Sequence, residues 1–167
     1  MELIRLQDAD SKRAYELYGT YQKDENGYVN PVYGYSYEEF LEYVEKKRHW
    51  TEGEELPEGF VADTTYILVD DNGDYTGSFN FRHYLNDFLR EGPGHVGYGI
   101  SKVYRGRGYA TKGLAMLIEI IREHGIDTPE IYLEVNKDNP ASQKVQLANG
   151  AYIHHESDKC LYTRIAL

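Results

Sequence analysis

The sequence predicts one α/β domain, built on a mixed and mostly antiparallel sheet that about four helices flank. Three observations predict this class. Apolar residues recur at helical spacing over 109–124, and an Asn-Gly pair at 72–73 separates two runs of strand-like composition. Strand-like and helix-like segments then alternate through the second half of the chain. A chain of 167 residues has single-domain size, so we expect one domain over 1–167.

Two helices and a hairpin are predicted for the first half of the chain. A weakly patterned segment from Asp8 to about Gln22 has helical character. Residues 36–39 have the capping-box form, and apolar residues follow at helical spacing, which predicts a helix over 37–48. After an acidic loop, a β-branched strand over 64–69 leads through the Asn-Gly turn to a return strand over 75–83.

The second half is predicted to alternate between strands and helices. Asparagine and proline at 139–140 suit an N-cap and a first helical residue, and Gly125 can end the preceding helix. Because a crossover helix joins strands that run in the same direction, strands 95–102 and 130–136 are expected to be parallel neighbours. The predicted elements, in order, are a loop over 85–94, a strand over 95–102, a helix over 109–124, a strand over 130–136, a helix that begins at Asn139, and two short strands near 151–155 and 160–165.

The formal charge of −10 is distributed unevenly along the chain. Residues 1–94 hold 20 Asp and Glu against 9 Lys and Arg, whereas residues 95–167 hold 8 against 9. This excess of negative charge repels polyanions, so we expect no nucleic-acid partner. The near-neutral second half suits an anionic cofactor, and the acidic first half favours a cationic ligand. Solubility alone would produce the same asymmetry.

The apolar residues and the cysteine indicate a location. No apolar run reaches the roughly 18 residues of a membrane span, so we expect no membrane association. The chain start lacks a basic segment followed by an apolar one, which favours a cytoplasmic location. The single cysteine, Cys160, lies in an apolar segment and is expected to be a buried thiol. The histidines have no metal-ligand spacing, so no metal site is expected.

A glycine-rich segment between a predicted strand and a predicted helix carries the strongest chemical signal. Small residues let a ligand approach the main chain, and the free amides at a helix start favour an anion. The segment lacks the third glycine of the dinucleotide pattern, and no stretch has the Walker sequence. Its spacing alone leaves two interpretations open, a diphosphate site and a turn that merely joins two elements. The segment comprises Arg105, Gly106, Arg107, Gly108, Tyr109, Ala110 and Thr111.

Two motifs in the right order resemble the GNAT superfamily of N-acetyltransferases. The stretch 100–111 is similar to the family's pyrophosphate motif, Arg/Gln-x-x-Gly-x-Gly/Ala. The stretch 133–142 resembles the segment Asn-x-x-Asn-x-x-Ser/Ala that borders coenzyme A. The matching residues are Arg105, Gly108 and Ala110 in the first motif, and Asn136, Asn139 and Ser142 in the second. The following helix end is also similar, although Ala151 replaces the usual aromatic residue.

The resemblance covers about 95–151, with a looser similarity from Leu56 to a predicted bacterial acetyltransferase subgroup without an assigned substrate. It implies a fold in which two neighbouring strands splay apart and leave main-chain groups for the pantetheine of acetyl-CoA. The diphosphate would lie on the amides of residues 105–110, and no metal is implied. The coenzyme-contacting residues that the resemblance implies are Ile100, Ser101, Val103, Arg105, Gly106, Arg107, Gly108, Tyr109, Ala110, Thr111, Asn136, Asn139 and Ser142.

Two residues are candidates for the base that removes the amine proton. His95 stands where the related motif often has a catalytic glutamate, and an imidazole with a pKa of about 6.5 accepts protons at neutral pH. Glu134 is the alternative, as a ligand of the amine or as its base. A backbone-bonded histidine and a solvated carboxylate are the structural alternatives. Many family members place a tyrosine acid at the position that Gln146 occupies here, and Tyr152 is the substitute donor that the sequence offers.

The predicted function is transfer of an acetyl group from acetyl-CoA directly to a primary amine of a small molecule or peptide. The alternative is a GNAT-like module that binds acyl-CoA as a sensor or docking domain without turnover. The acidic first half predicts a cationic amine acceptor, held among Tyr33, Tyr35, Tyr37 and the loop 52–58. A homodimer is left open as an alternative to a monomer.

Overall fold

Nine β-strands and five α-helices make up the protein, whose computed structural model describes all of residues 1–167. The strands are β1 (Glu2–Arg5), β2 (Asp24–Glu25), β3 (Tyr28–Val29), β4 (Asp63–Val69), β5 (Tyr75–Arg82), β6 (Val96–Ile100), β7 (Glu130–Asn136), β8 (Tyr152–Glu156) and β9 (Cys160–Ala166). The α-helices are α1 (Ser11–Gly19), α2 (Tyr37–Thr51), α3 (Asp87–Glu91), α4 (Tyr109–His124) and α5 (Pro140–Ala148).

The strands form two main sheets whose facing edges do not join. One sheet has the order β1-β4-β5-β6 and the other β7-β9-β8, and every ladder in them is antiparallel. β6 and β7 are edge strands of different sheets, and a single bridge between Gly94 and Leu133 connects them. At the same place the His95 N–H donates to Tyr132 O at 2.8 Å. The two strands expected to splay are therefore present as separate edges, but the expected parallel pairing is not: no ladder joins them, and the one bridge between them is antiparallel.

Helices cover both faces of the first sheet. On one face, Phe79 of β5 packs in a core with Leu114 and Leu117 of α4. On the other face, Ile67 of β4 packs with Phe40 of α2. Because successive strand residues point to opposite faces, the even-numbered residues of β5 face α1 and α2. These even-numbered residues are polar, which bears on the site described below.

Some elements differ from the predicted set. The bounds of α4 and β7 are those predicted, whereas β1, the β2–β3 hairpin and α3 were not expected. α3 lies within the predicted loop 85–94 because the side chain of Asn86 caps it, accepting a first-turn N–H at 2.9 Å. It is a fifth helix, against about four expected. β6 ends before the predicted limit of 102 because Ser101 starts a tight turn, in which its carbonyl accepts the Tyr104 N–H at 2.9 Å.

Gly113 of α4 sits where the helix approaches the sheet most closely. A Cβ built on Gly113 would overlap the ring of Phe79, with Cε2 at 2.7 Å, and Phe79 is itself 0% exposed. We therefore expect Gly113→Ala to lower the free energy of unfolding by about 1–3 kcal/mol through overpacking. The better helix propensity of alanine, worth roughly 1 kcal/mol, offsets part of this cost.

The matched control for that variant is Gly19→Ala, another helical glycine. A Cβ on Gly19 would have no heavy atom within 4 Å, so this change should be neutral or slightly stabilising. Urea unfolding of both variants measures the difference. Equal urea midpoints for the two variants would show that the Phe79 ring moves to accommodate the added methyl group without loss of stability.

Candidate active site

A cleft of about 1370 Å³ extends from the start of α4, through the gap between β6 and β7, to the space between α2 and the first sheet. Residues of β4, β5, β6, β7, α2, α5 and the β2–β3 hairpin line it. The cleft has two ends, one at the start of α4 and one above β4 and β5. The two ends meet in the gap between the edge strands.

The gap exposes the main chain of β6. The Arg82 N–H donates to His95 O at 2.8 Å and the Ser101 N–H to Thr76 O at 2.9 Å, so the odd-numbered residues of this segment bond to β5. In an antiparallel ladder, alternate residues direct their N–H and C=O groups to opposite edges. Val96 and Tyr98 therefore direct theirs toward β7, where no ladder forms. An extended ligand can pair with this edge.

The start of α4 provides a second set of free main-chain donors. Its N-cap is Gly108, in a left-handed conformation with φ of 76°, and no side chain caps the helix. The amides of Tyr109, Ala110 and Thr111 thus have no acceptor within the helix. Free amides and the positive end of the helix dipole favour an anion there, and these residues line the cleft.

The guanidinium of Arg105 is already paired beside this helix start. Both of its terminal nitrogens donate to the carboxylate of Glu25, each at 2.8 Å, and its Nε donates to Ile100 O at 2.9 Å. The positive charge expected from Arg105 is therefore neutralised by a residue 80 positions away. Arg107 points over the ring of Tyr104, with Cζ 5.6 Å from the ring centroid.

The hairpin formed by β2 and β3, residues 24–29, closes one side of the gap, and we call it the roof hairpin. The ring of Tyr28 lies against Gly99, where a Cβ would be 3.1 Å from ring carbons, and its hydroxyl is 2.8 Å from Ser78 Oγ. On the opposite side of the gap, Asn139 Nδ2 donates to Asn26 O at 3.2 Å. The roof hairpin thus contacts both the β6 side and the α5 side of the cleft.

Glu134 of β7 lines the cleft at the gap. Cys160 Sγ donates to Glu134 Oε1 at 3.1 Å. Burial and the neighbouring carboxylate raise the pKa of the Cys160 thiol to about 11, so the thiol remains a donor at neutral pH. Glu134 Oε2 lies 3.6 Å from the position of a Cβ built on Gly92. The carboxylate is therefore held between β9 and the segment that precedes β6.

Five polar residues form the other end of the cleft, and we call them the polar floor: Lys47, Asp63, Thr65, Asn80 and Arg82. Thr65 is opposite Asn80 and Asp63 opposite Arg82 in the β4–β5 register, so these four share one face. Lys47 Nζ and Asn80 Nδ2 both donate to Asp63 Oδ2. Arg82 Nη1 donates to Gly94 O at 3.0 Å.

Comparison with known proteins identifies the family of this chain. A family model described as an acetyltransferase (GNAT) domain matches residues 1–151. The chain belongs to the GNAT acetyltransferase family. None of the curated proteins compared with this sequence gives a significant match.

Three solved structures illustrate the shared fold. PseH from Campylobacter jejuni, in complex with acetyl coenzyme A, is 14% identical with a TM-score of 0.65, over 99% of this chain and 97% of that one. RimL, a ribosomal alpha-N-protein acetyltransferase in complex with coenzyme A, is 17% identical with a TM-score of 0.71, over 99% and 93%. A mutant of the Vibrio cholerae spermidine N-acetyltransferase SpeG is 14% identical with a TM-score of 0.65, over 99% and 95%.

Most of the coenzyme-contacting residues predicted for this GNAT domain line its cleft. The exceptions are Ser101, Val103 and Arg107. Ser101 is buried below the cleft at 1% exposure, Val103 is 68% exposed on the outer surface, and Arg107 stacks on Tyr104. The predicted residues that do line the cleft are Ile100, Arg105, Gly106, Gly108, Tyr109, Ala110, Thr111, Asn136, Asn139 and Ser142.

His95 does not lie where a base in this GNAT domain could touch an amine. Its side chain is 0% exposed and is not part of the cleft lining. Nδ1 accepts the Tyr132 N–H at 3.0 Å, and Nε2 is buried without a hydrogen-bond partner. Burial lowers the pKa of His95 to about 4, so the ring is neutral at working pH. The role expected for His95 is therefore corrected to packing at the bridge between the sheets, and Glu134 remains the candidate base.

The low pKa of His95 predicts a pH-dependent stability. An unfolded histidine has a pKa of about 6.5, so as the pH falls the unfolded chain takes up this proton first. The contribution of His95 is complete above about pH 6.5 and decreases toward pH 4 by up to about 3 kcal/mol. His95→Asn, which keeps an acceptor near the position of Nδ1, should show a shallower decrease in the free energy of unfolding. Parallel curves for variant and wild type, from urea titrations at several pH values, would contradict this.

Gln146, which replaces the usual tyrosine acid, lines the cleft, whereas the substitute donor Tyr152 does not. Gln146 is 1% exposed, and its Oε1 accepts from Thr163 Oγ1 at 2.7 Å. The Tyr152 hydroxyl donates to Glu130 at 2.7 Å outside the cleft. The sequence interpretation missed Tyr98, whose hydroxyl is 2.6 Å from Ser142 Oγ in the cleft. Burial raises the pKa of Tyr98, which keeps the phenol protonated.

The lining of the cleft is less acidic than the charge of the first half of the chain led us to expect. Tyr35 lines the cleft, but Tyr33 and Tyr37 do not, and the loop 52–58 contributes Glu55 and Pro57. The ionisable lining is balanced, so the negative charge of residues 1–94 lies mostly elsewhere. The lining cations are Lys46, Lys47, Arg82 and Arg105, and the lining carboxylates are Glu25, Glu55, Asp63 and Glu134.

A sequence signal for the polar floor existed in the alternation of β5. Thr76 and Ser78 are buried and polar, and the buried Phe79 and Phe81 follow them on the opposite face of the strand. Polar residues on a covered strand face usually have partners or a ligand, and the same face continues to Asn80 and Arg82.

No cluster of three or more His, Cys, Asp or Glu side chains is arranged to hold a metal ion. None of the helices is long and apolar enough to cross a bilayer.

Proposed function

We propose that this protein is an acetyl-CoA-dependent N-acetyltransferase that transfers the acetyl group directly to a primary amine. The observation that carries the proposal is the continuity of the cleft. The free amides at the start of α4, the open edge of β6 and the polar floor belong to one space, and Glu134 lies where its two ends meet. Such a space accommodates a donor and an acceptor together, so that proximity supplies much of the rate.

Acetyl-CoA fits the donor end by its chemistry, and when bound it supplies the acetyl group as an activated thioester. The amides of Tyr109, Ala110 and Thr111 suit its diphosphate. The unpaired edge of β6 at Val96 and Tyr98 suits the amide groups of an extended pantetheine arm. Support comes also from the family relatives, because PseH was solved with acetyl coenzyme A and RimL with coenzyme A.

Two side chains at the gap have the properties that proton transfer requires. As the new C–N bond forms, the amine loses a proton, which in this proposal the Glu134 carboxylate receives directly or through water. As the C–S bond breaks, the thiolate leaves and, in this proposal, takes a proton from the Tyr98 hydroxyl, which contacts Ser142 in the cleft and is kept protonated by its raised pKa. Neither step involves a covalent enzyme intermediate.

The test is release of free thiol from acetyl-CoA in the presence of a panel of primary amines. Amine-dependent thiol release, with acetylated amine detected by mass spectrometry, is the expected result, and the reaction without amine is the control. Calorimetric binding of coenzyme A without thiol release by any amine would contradict the proposal. That outcome would favour the alternative, an acyl-CoA-binding sensor or docking module without turnover.

A further inference from the structure

We infer that the acceptor amine also carries a carboxylate, and that Arg82 binds this carboxylate. The inference rests on the proposed function and names the substrate class for the polar floor. It departs from the expectation of a cationic amine acceptor, because one cation of the polar floor, Arg82, has no carboxylate partner.

Arg82 is a partly buried cation that lacks a partner of opposite charge. No carboxylate oxygen lies within 4 Å of its guanidinium nitrogens, although other cations of the protein, such as Arg105 and Lys47, have one. The one protein acceptor of Arg82 is Gly94 O. A guanidinium with free donors in a cleft presents a planar fork that matches a carboxylate.

The neighbouring carboxylate does not neutralise Arg82. Asp63 is opposite Arg82 in the strand register, but its Oδ2 accepts from both Lys47 and Asn80. Lys47 is 2% exposed, so its charge depends on Asp63. The polar floor therefore holds two cations and one anion, and the surplus positive charge is on Arg82.

Asn80 provides a second unmet hydrogen-bonding group beside Arg82. Its Nδ2 donates to Asp63, whereas its Oδ1 is buried without a donor. Asn80 is opposite Gly97 of β6, and a Cβ built on Gly97 would have no heavy atom within 4 Å. There is thus open space over Gly97, on the sheet face that carries Asn80, into which a substrate can extend.

The position of Arg82 relative to Glu134 limits the length of the substrate. Both side chains reach the same short segment before β6: Arg82 donates to Gly94 O, and Glu134 Oε2 approaches Gly92. One small molecule can therefore place its carboxylate on Arg82 and its amine near Glu134. Amino acids with a short spacer between the two groups have this form.

The experiment compares amines of similar length that differ at the far end. γ-Aminobutyrate carries a carboxylate, butylamine a methyl group, putrescine a second amine and aminopropylphosphonate a different anion; alanine and ethylamine form a shorter pair. We expect the amino acids to be acetylated with kcat/KM values about tenfold or more above those of the uncharged amines. Preference for putrescine, for the phosphonate or for the uncharged amines would overturn the inference while leaving the acetyltransferase activity itself established.

Variants assign the preference to Arg82. Arg82→Gln should raise KM for the amino acids by about 10- to 100-fold, and should raise KM for the uncharged amines far less. Arg82→Lys keeps the charge without the fork and should be intermediate. Arg48→Gln removes the same charge from an exposed position outside the cleft and serves as the control. Equal losses for both kinds of amine in Arg82→Gln, with its thermal unfolding midpoint unchanged, would overturn the inference.

A binding measurement separates failure of the inference from failure of the proposed function. If no amine releases thiol, γ-aminobutyrate is titrated calorimetrically into the protein loaded with coenzyme A. Binding by the wild type and Arg48→Gln, but not by Arg82→Gln, would support a carboxylate site in a protein that is not an acetyltransferase. Absence of binding by the wild type would overturn the inference.

Discussion

Replacement of Gly108 by glutamate is expected to lower the affinity for coenzyme A by about 100-fold or more. The new carboxylate would lie at the free amides of the α4 start, where it competes with an anionic ligand for the same donors and repels its charge. The left-handed φ of 76° adds backbone strain, since residues with a Cβ rarely adopt it. Isothermal titration of coenzyme A into the variant measures the effect.

Gly53→Glu is the matched control for charge and strain. Gly53 also has a positive φ, of 78°, a Cβ built on it would have no heavy atom within 4 Å, and it lies outside the cleft. We expect this variant to share the loss of stability and to keep its affinity for coenzyme A. Wild-type affinity in Gly108→Glu would place the diphosphate elsewhere.

Glu134→Gln is expected to lower kcat by about 100-fold or more, which corresponds to roughly 2.7 kcal/mol or more of transition-state stabilisation, while binding of coenzyme A is retained. The amide keeps the size of the side chain and an acceptor for Cys160, but it cannot take a proton. Glu130→Gln makes the same change on the same strand outside the cleft and should remain near wild type.

The pH dependence of the Glu134 variant distinguishes a base from a residue that merely positions the amine. An alkylamine with a pKa of about 10 is protonated at neutral pH. Without the carboxylate, the reaction depends on the small neutral fraction, which increases tenfold with each pH unit. The deficit of Glu134→Gln should therefore narrow as the pH rises toward 9. A deficit that is constant across pH would indicate a positioning role only.

The sequence predicts those parts of the site that depend on local pattern. α4 and β7 have strong periodicity, and the glycines at 106 and 108 mark a turn whose positive φ angles the structure contains. Contacts between distant segments had no such local signal. The ion pair between Glu25 and Arg105 joins a short hairpin to the start of α4, and no sequence pattern in either segment predicts this contact.

His95 illustrates why alternation alone could not assign the base. Strand alternation applies within β6, but His95 precedes that strand, at the bridge where the two sheets touch. There its ring turns toward the Tyr132 N–H instead of the cleft. The sequence did not predict the polar floor for a related reason. Lys47, Asp63 and Arg82 belong to three different elements, and they form a cluster only when those elements pack together.

The two open strand edges have a consequence for solution behaviour that is separate from ligand binding. Main-chain groups that are free to pair with a ligand are equally free to pair with a strand of another molecule, which is how exposed edges initiate aggregation. The roof hairpin stands in the way, because Tyr28 covers Gly99 of β6 and Gly27 lies against Asn136 of β7. The roof hairpin thus shields the gap between β6 and β7 from strand pairing with another molecule while no ligand is bound. The main chain of the two edges can therefore stay unpaired without promoting aggregation.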